Sequence, residues 1–267
     1  MIAAQKPAPL PGTRPEGVRD EREAATRVRD MFTRIAPRYD LLNHLLSFSL
    51  DHVWRRRTAK RFAHILGRPG SRILDLCCGT GDLAFALDRA RKKLATTKRS
   101  PSSWELHPII GSDFVEPMLV RAQEKGADAR STVRFAAADA LHLPFRDASF
   151  DLITTAFGFR NLANYEDGLR EFARVLKQGG ELAILEFTEP ASGPFAGLFR
   201  FYFKNVLPRI GGAISGNAEA YKYLPGSVSQ FPQPQELAAL IQKCGFRDVQ
   251  IASWNFGSVI LHSAQRE

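Results

Sequence analysis

Cysteine is scarce in this chain of 267 residues. Three are present, two of them adjacent at Cys77 and Cys78, which is too few for a multi-bridge disulfide framework and lacks the paired spacing of a zinc site. No metal ligand set is expected, and a reducing cytoplasm is the natural compartment. Long apolar runs are missing as well. No stretch of about 18 apolar residues occurs, and the opening MIAAQKPAPLPGTRPEG has no apolar core of signal-peptide length, so neither a membrane span nor export is expected. Acid is short relative to base: 28 Asp and Glu against 37 Lys and Arg give a net charge of +9. That excess suits a negatively charged partner such as nucleic acid, a phosphorylated ligand or an anionic bilayer. The basic clusters, Arg55-Arg56-Arg57 to Arg61 and Arg89 to Arg99, carry no nucleic-acid motif and read as solvated helix faces. What is present is ordinary soluble composition, 44% hydrophobic and 24% charged, which excludes collagen-like, coiled-coil and wholly disordered classes. The length suits one domain with appendages.

Residues 1–23 are rich in Pro, Gly and charge, and read as a mobile tail that cannot offset its ordering entropy. From Ala24 the pattern turns helical. Val28, Met31, Phe32 and Ile35 mark one helix face that Pro37 stops, and Leu41, Leu42, Leu45 and Leu46 repeat every turn. A third helix is expected from Asp51 as N-cap to the Gly67 and Pro69-Gly70 break. Residues 24–68 thus form a helical preamble expected to cover the active site of the domain at 69–267. There, short apolar runs alternate with helical patterns, the mark of a parallel sheet with crossover helices. Strands are expected at Arg72–Leu76, Ile109–Asp113, Val133–Ala137, Phe150–Thr155, Glu181–Phe187, Val249–Trp254 and Val259–His262, the last two antiparallel across a short connection. Helices are expected near 82–94, 116–126, 164–177 and 234–244, with the third ending at the Gly179-Gly180 turn. Two segments break the alternation: polar residues 91–107, read as a surface insertion, and aromatic residues 191–228, read as a lid or interfacial element.

The sharpest local signal is the string from Ile73 to Leu83, ILDLCCGTGDL, a strand entering a glycine turn and then a helix. Gly79 and Gly81 let the backbone turn tightly and approach a ligand, and the helix N-terminus offers free N–H donors. With Ala84 the string also satisfies the dinucleotide fingerprint, so an NAD-dependent oxidoreductase stands as the alternative. The acids around the turn discriminate. Asp75, just before it, would repel a pyrophosphate and favour a sulfonium or ammonium group. Asp113 ends the second strand, where a carboxylate can accept from both ribose hydroxyls. Asp139 can accept from an adenine amino group while Ala140 offers its N–H. Together these positions resemble the S-adenosylmethionine site of class I methyltransferases. That resemblance implies an α/β, Rossmann-like fold with a mostly parallel seven-stranded sheet whose last strand is antiparallel, and a cofactor site that also takes in Thr80, Phe114 and Met118.

Longer strings narrow the resemblance. Tyr39 to Ser47 (YDLLNHLLS), Asp51-His52-Val53-Trp54, Phe157 to Asn161 (FGFRN), Arg174 to Gly180 (RVLKQGG) with Leu185-Glu186-Phe187, and Tyr221 to Pro225 (YKYLP) with Phe231-Pro232 are similar to the UbiE/MenG family of quinone-ring C-methyltransferases, in order over about residues 27–265. The sequence departs from the family at Leu42, Gln178 and Ala156, where Met, Pro and Ser are usual, and at Asp51-His52, where His stands one place earlier. The resemblance implies S-adenosylmethionine-dependent C-methylation of a polyprenyl quinol, demethylmenaquinol to menaquinol or the equivalent ubiquinone step. Such chemistry needs a ring carbon enriched by loss of a phenolic proton. Arg160 and Asn161 follow the fourth strand at its ligand-binding end, and Arg160, with no acid nearby in sequence before Glu166, is expected to face a developing phenolate unpaired. Asp40, His44, His52 and Tyr221 are the other proton-handling candidates. Tyr39, Leu42, His44, Phe157 and Tyr223 are expected to wall the substrate cleft. A lipid tail would account for the aromatic segment and the basic surface through peripheral contact with the inner face of the membrane. A nucleic-acid partner is not expected, and a homodimer is allowed.

Overall fold

A computed structural model describes residues 12–15, 17–97, 106–190, 196, 197, 201, 202, 205 and 218–267. The N-terminal helices are α1 (Glu21–Ile35), α2 (Tyr39–Leu46), α3 (Asp51–Arg61) and α4 (Ala63–Leu66), with a single 3-10 turn at Ala36–Arg38 where Pro37 interrupts the first pattern. Helix α1 starts three residues before the expected point because the Asp20 carboxylate caps it, accepting from Glu23 N. The expected mobile tail is corrected accordingly: Thr13 is 3% exposed, and its N–H donates to Leu162 O at 2.8 Å. Residues 1–11 lie outside the described part. Asp51 is not an N-cap; Leu50 precedes α3 with helical dihedrals, and the Asp51 carboxylate accepts instead from Ser47, His44 and Arg55.

Seven strands follow: β1 (Ile73–Leu76), β2 (Ile110–Asp113), β3 (Arg134–Ala137), β4 (Phe150–Ala156), β5 (Leu176–Phe187), β6 (Phe246–Trp254) and β7 (Val259–Arg266). They form one sheet in the order β3-β2-β1-β4-β5-β7-β6, in which β7 alone runs antiparallel to its neighbours. Strand order reverses at β1, so the crevice beyond the carboxyl ends of β1, β2 and β4 is where an open α/β sheet takes its ligand. The connecting helices are α5 (Asp82–Thr97), α6 (Glu116–Asp128), α7 (Tyr165–Val175), α8 (Ala218–Gln230) and α9 (Pro234–Lys243). As the sequence predicts, Asn164 caps α7, accepting from Asp167 N.

Strand β5 is longer than expected. The Gly179-Gly180 pair is not a break before it but an irregularity within it, where the register against β4 jumps between Phe150 and Leu152. Within the 91–107 segment α5 runs on to Thr97, past its expected end near 94, and buried Arg91 donates to Ser71 O and Oγ at 2.8 Å and to His107 O, which pins both described ends. Residues 98–105 lie outside the description, as does most of 191–228, of which α8 covers the end.

Each sheet face buries a cluster. Leu74, Leu76, Ile153 and Ile184 meet Leu169 and Phe172 of α7 and Leu237 and Ile241 of α9. On the other face Ile73, Leu152 and Leu185 meet Trp54 of α3 and Leu83 and Leu87 of α5. A smaller cluster, Met31, Ile35 and Ala36 against Val115 and Met118, seats α1 over the carboxyl ends of the strands.

Candidate active site

The loop after β1 turns through left-handed backbone at Cys77 (φ 51°), Gly79 (φ 54°) and Gly81 (φ 86°). At Gly81 a β-carbon would lie 2.9 Å from Phe85 and 3.0 Å from Phe135, so no other residue fits that turn. Asp113 fixes the loop from across the crevice. Its Oδ2 accepts from Gly79 N at 2.8 Å and its Oδ1 from Val115 N at 2.9 Å. Burial pushes the carboxyl up from its ordinary value, opposed by those amides, and it sits 8% exposed in the crevice lining. The Cys77 and Cys78 thiols are pushed well above their usual range, by burial first and the Asp113 charge second, so they stay protonated and are poor nucleophiles.

The crevice holds a cleft of about 740 Å³ including its open mouth. Its lining takes in Gly79, Asp113, Phe114, Met118, Asp139 and Ala140, an opposite wall of Phe157, Gly158 and Asn161 to Ala163, and Ala25, Phe32 and Tyr39 of the preamble. Asp139 Oδ1 accepts from Leu141 N at 2.9 Å, which fixes the turn that presents Ala140. Among the described lining residues the charged ones are Asp113 and Asp139; no lysine or arginine is there. Two carboxylates without a cation suit hydroxyl and amino donors or a cationic ligand, and disfavour a pyrophosphate. The residues present therefore fit S-adenosylmethionine better than NAD.

Several expected site residues stand elsewhere. Asp75 alternates with Leu74 and Leu76, so it shares the face of Ile73 beneath α3 and α5; it is 1% exposed, does not line the cleft, and accepts from Thr154 Oγ1 at 2.6 Å. Its expected place beside a cationic ligand is corrected to one behind the loop. Thr80 donates to Asp40, and Lys125 Nζ reaches Asp40 at 2.9 Å, Asp82 at 2.7 Å and Thr80 Oγ1 at 3.1 Å. Asp40 is thus a bracing carboxylate that ties α2 to α5 and α6, outside the lining of the cleft. Arg55 braces similarly. It is 6% exposed and paired with Asp51, with Asp82 at 3.5 Å, which corrects its reading as a solvated charge. His44 Nδ1 donates to Asp51 Oδ2 at 2.9 Å and stacks on His52 with centroids 4.3 Å apart, and neither lines the cleft. These histidines and Asp51 have the spacing of metal ligands, but Arg55 already supplies a cation to that carboxylate. The side chains of Leu42 and Tyr221 lie outside the described part.

Tyr39 and Phe157 line the cleft as expected, with Asn161 beside them. Tyr223 stands one layer back and donates to Asn161 Oδ1 at 3.0 Å. Burial raises both tyrosines above their ordinary value, which keeps their hydroxyls protonated. Arg160 is the clearest correction. Its guanidinium is 7% exposed and bonds Glu186 Oε2 at 2.7 Å and Phe157 O, while its backbone N donates to Glu186 Oε1 at 3.1 Å. Burial alone would depress this arginine, and the Glu186 charge more than offsets that. Glu186, fully buried on β5, is the functional residue that sequence reasoning left without a role. The signal was available: a glutamate inside an apolar strand run needs a buried partner.

The Asp75 carboxyl, raised by burial to about 7, makes stability depend on pH. An unfolded carboxyl titrates near 3.9, so between that value and about 7 the native state holds a proton that the unfolded chain has released. Stability from this group is complete below about 4 and is lost as pH rises through about 7, by about 4 kcal/mol over the window. Thermal melting across this range is expected to fall with pH in the wild type, and Asp75→Asn is expected to flatten the slope. An unchanged slope in the variant would assign the pH dependence to another group.

Comparison with known proteins places this geometry. The model of the ubiE/COQ5 methyltransferase family matches residues 19–266. The demethylmenaquinone methyltransferase of Deinococcus radiodurans is 48% identical over 230 residues, covering 86% of this chain and 89% of that protein. The ubiquinone/menaquinone biosynthesis C-methyltransferase UbiE of Geobacter sulfurreducens is 42% identical over 248 residues, 91% of this chain and 90% of its own. The crystal structure of a SAM-dependent methyltransferase from Aquifex aeolicus shares the fold at a TM-score of 0.57, with 17% identity, over 85% of this chain and 98% of that one.

Proposed function

The chain belongs to the UbiE/COQ5 methyltransferase family, and from that premise we propose that it methylates a ring carbon of a polyprenyl quinol, converting demethylmenaquinol to menaquinol, with the equivalent ubiquinone-pathway ring as a second substrate. The observation that carries the reading is the 48% identity to a demethylmenaquinone methyltransferase over most of both chains, joined to a cleft whose free wall is apolar and aromatic.

Bound S-adenosylmethionine supplies an electrophilic methyl group on a sulfonium. Asp113 would accept from the ribose hydroxyls while keeping the glycine loop in place through Gly79 N. Asp139 and Ala140 would take the adenine edge, between Phe114, Met118 and Leu141. Tyr39, Phe32 and Phe157 exclude water and present a flat apolar wall to the quinol ring. Asn161, with its oxygen occupied by Tyr223, has its N–H donors left for a phenolic oxygen. Arg160, the preceding residue, whose charge is felt at Tyr39 of the cleft wall, would favour the phenolate, held by Glu186 rather than unpaired as the sequence led us to expect.

No helix of the described residues is long and apolar enough to cross a membrane. Contact with the bilayer is supported by exposed apolar side chains around the α2–α3 connection: Leu41 at 60% and Phe48 at 74%, with Phe48 5.9 Å from the ring of Tyr202. These would seat the cleft mouth where a polyprenyl tail resides. The test is transfer of label from methyl-labelled S-adenosylmethionine to each demethylated quinol. Label in the naphthoquinol is expected; cofactor binding without transfer to either ring would overturn the substrate assignment.

A further inference from the structure

Residues 12–15 form a strap that precedes α1 and lies outside the stretch matched by the family model, which begins at residue 19. The strap is built into the cleft wall rather than resting on it. Thr13 N donates to Leu162 O at 2.8 Å, and Arg14 Nη1 donates to Ala163 O at 2.8 Å and to Thr13 O at 3.0 Å. Glu21 holds the same arginine at 3.5 Å. Backbone meets backbone at Gly12, where a β-carbon would lie 2.3 Å from the carbonyl carbon of Ala163, so a side chain there is excluded. Leu162 and Ala163, the residues gripped by the strap, line the cleft next to Asn161.

One side chain of the strap continues inward. Thr13 Oγ1 lies 3.0 Å from Tyr223 OH, and Tyr223 OH donates to Asn161 Oδ1 at 3.0 Å. A tyrosine hydroxyl has one proton, and it is spent on Asn161; the Thr13 hydroxyl must therefore be the donor to Tyr223. The chain of donors runs in one direction, from strap to cleft. An asparagine amide is two-faced, acceptor at one end and donor at the other, and only a partner for its oxygen decides which end a ligand meets.

We propose that Thr13 is a positioning residue for methyl transfer: through Tyr223 it fixes the Asn161 amide with its N–H donors turned to the phenolic oxygen of the quinol. The proposal rests on the quinol reading above. Removing the Thr13 hydroxyl takes away the donor that holds the Tyr223 oxygen in place, so the bond from Tyr223 that sets the Asn161 orientation is kept but loosened. Affinity for the cofactor, which is held by the far wall, is untouched.

The experiment compares wild type, Thr13→Val, Thr13→Ser and Tyr223→Phe in the full chain for kcat and KM with the demethylated naphthoquinol, S-adenosylhomocysteine affinity and melting temperature. Thr13→Val is expected to lower kcat about tenfold while cofactor affinity stays within about twofold, because a donor misplaced by a fraction of an ångström loses its effect in the transition state. Thr13→Ser restores the rate, and Tyr223→Phe loses at least as much as Thr13→Val. Adding Thr13→Val to Asn161→Ala changes nothing further. A folded Thr13→Val with the wild-type kcat overturns the relay, as does one that only melts lower. Should Thr13→Val fail to fold, a Tyr223→Phe rate equal to wild type overturns it equally. A wild type that transfers no label overturns the quinol reading and the proposal with it, an outcome distinct from an active wild type whose variants are unchanged.

Discussion

Asp113→Ala is expected to weaken S-adenosylmethionine binding by a hundredfold or more, with the fold retained. The carboxylate does two jobs from one position. Toward the protein it accepts from Gly79 N and Val115 N, tying the glycine loop to the start of α6. Toward the cleft it offers its remaining lone pairs to the ribose hydroxyls. A hydrogen bond to a charged acceptor is worth about 1.5–3 kcal/mol, so two ligand bonds lost with the carboxylate exceed the roughly 2.7 kcal/mol that a hundredfold change requires. Loosening of the loop adds to this loss. Asp113→Asn should be no gentler, although it keeps the shape. Both oxygens face backbone N–H groups, so an amide must set its own NH2 against one of them, donor to donor. Calorimetry with S-adenosylhomocysteine on wild type and both variants, alongside melting curves, gives the result. Wild-type affinity in either variant would remove Asp113 from the cofactor site.

The legible parts of this protein are those whose cause is local. Buried parallel strands read as short apolar runs, and β1, β2, β3 and β4 fall within a residue or so of their expected bounds. The cofactor loop is a local string, and Gly79, Asp113, Asp139 and Ala140 all reach the cleft. Errors arise where the deciding partner is remote in sequence. Gly179-Gly180 reads as a turn, yet β4 pairs with Leu176 before it and with Glu181 after it, which makes it an irregularity inside one strand. Arg91 reads as solvated because Ser71 and His107 are distant in the chain. Asp40 resembles a proton acceptor until Lys125, on another helix, claims it. Composition also misleads at the N-terminus: glycine and proline suggest a mobile tail, but Gly12 is what allows the strap to lie against Ala163. Asp75 is a different kind of error. Alternation along β1 was sufficient to place it on the face opposite Leu74 and Leu76, away from the loop's ligand side.

Arg160→Leu is expected to cost both stability and turnover, and the Glu186 partner allows the two losses to be separated. The pair is buried on both sides, 7% and 0% exposed, and joined at 2.7 Å. Removing one member of such a pair leaves an uncompensated charge in the interior and costs about 3–5 kcal/mol. For a chain of this size about 1 kcal/mol corresponds to roughly 2–4 °C, so melting should fall by about 10 °C in Arg160→Leu. Burial already raises Glu186 above its ordinary value with Arg160 opposing, and without the arginine it would be pushed up further, so the variant should lose stability more steeply with rising pH than the wild type does. Removing both charges, in Arg160→Leu with Glu186→Leu, should recover most of the melting temperature, because apolar replacement of a buried pair is commonly neutral or stabilising. Turnover behaves differently. The fixed positive charge of Arg160 is absent from the single and the double variant alike, so both should turn over about a hundredfold more slowly, the scale of a lost oxyanion stabiliser, with S-adenosylhomocysteine affinity close to wild type. Recovery of stability without recovery of rate is the signature of an arginine that serves the reaction. If the double variant regains its rate along with its melting temperature, Arg160 is a structural residue and the phenolate is stabilised elsewhere. If Arg160→Leu melts like wild type, the buried pair carries no weight in the fold.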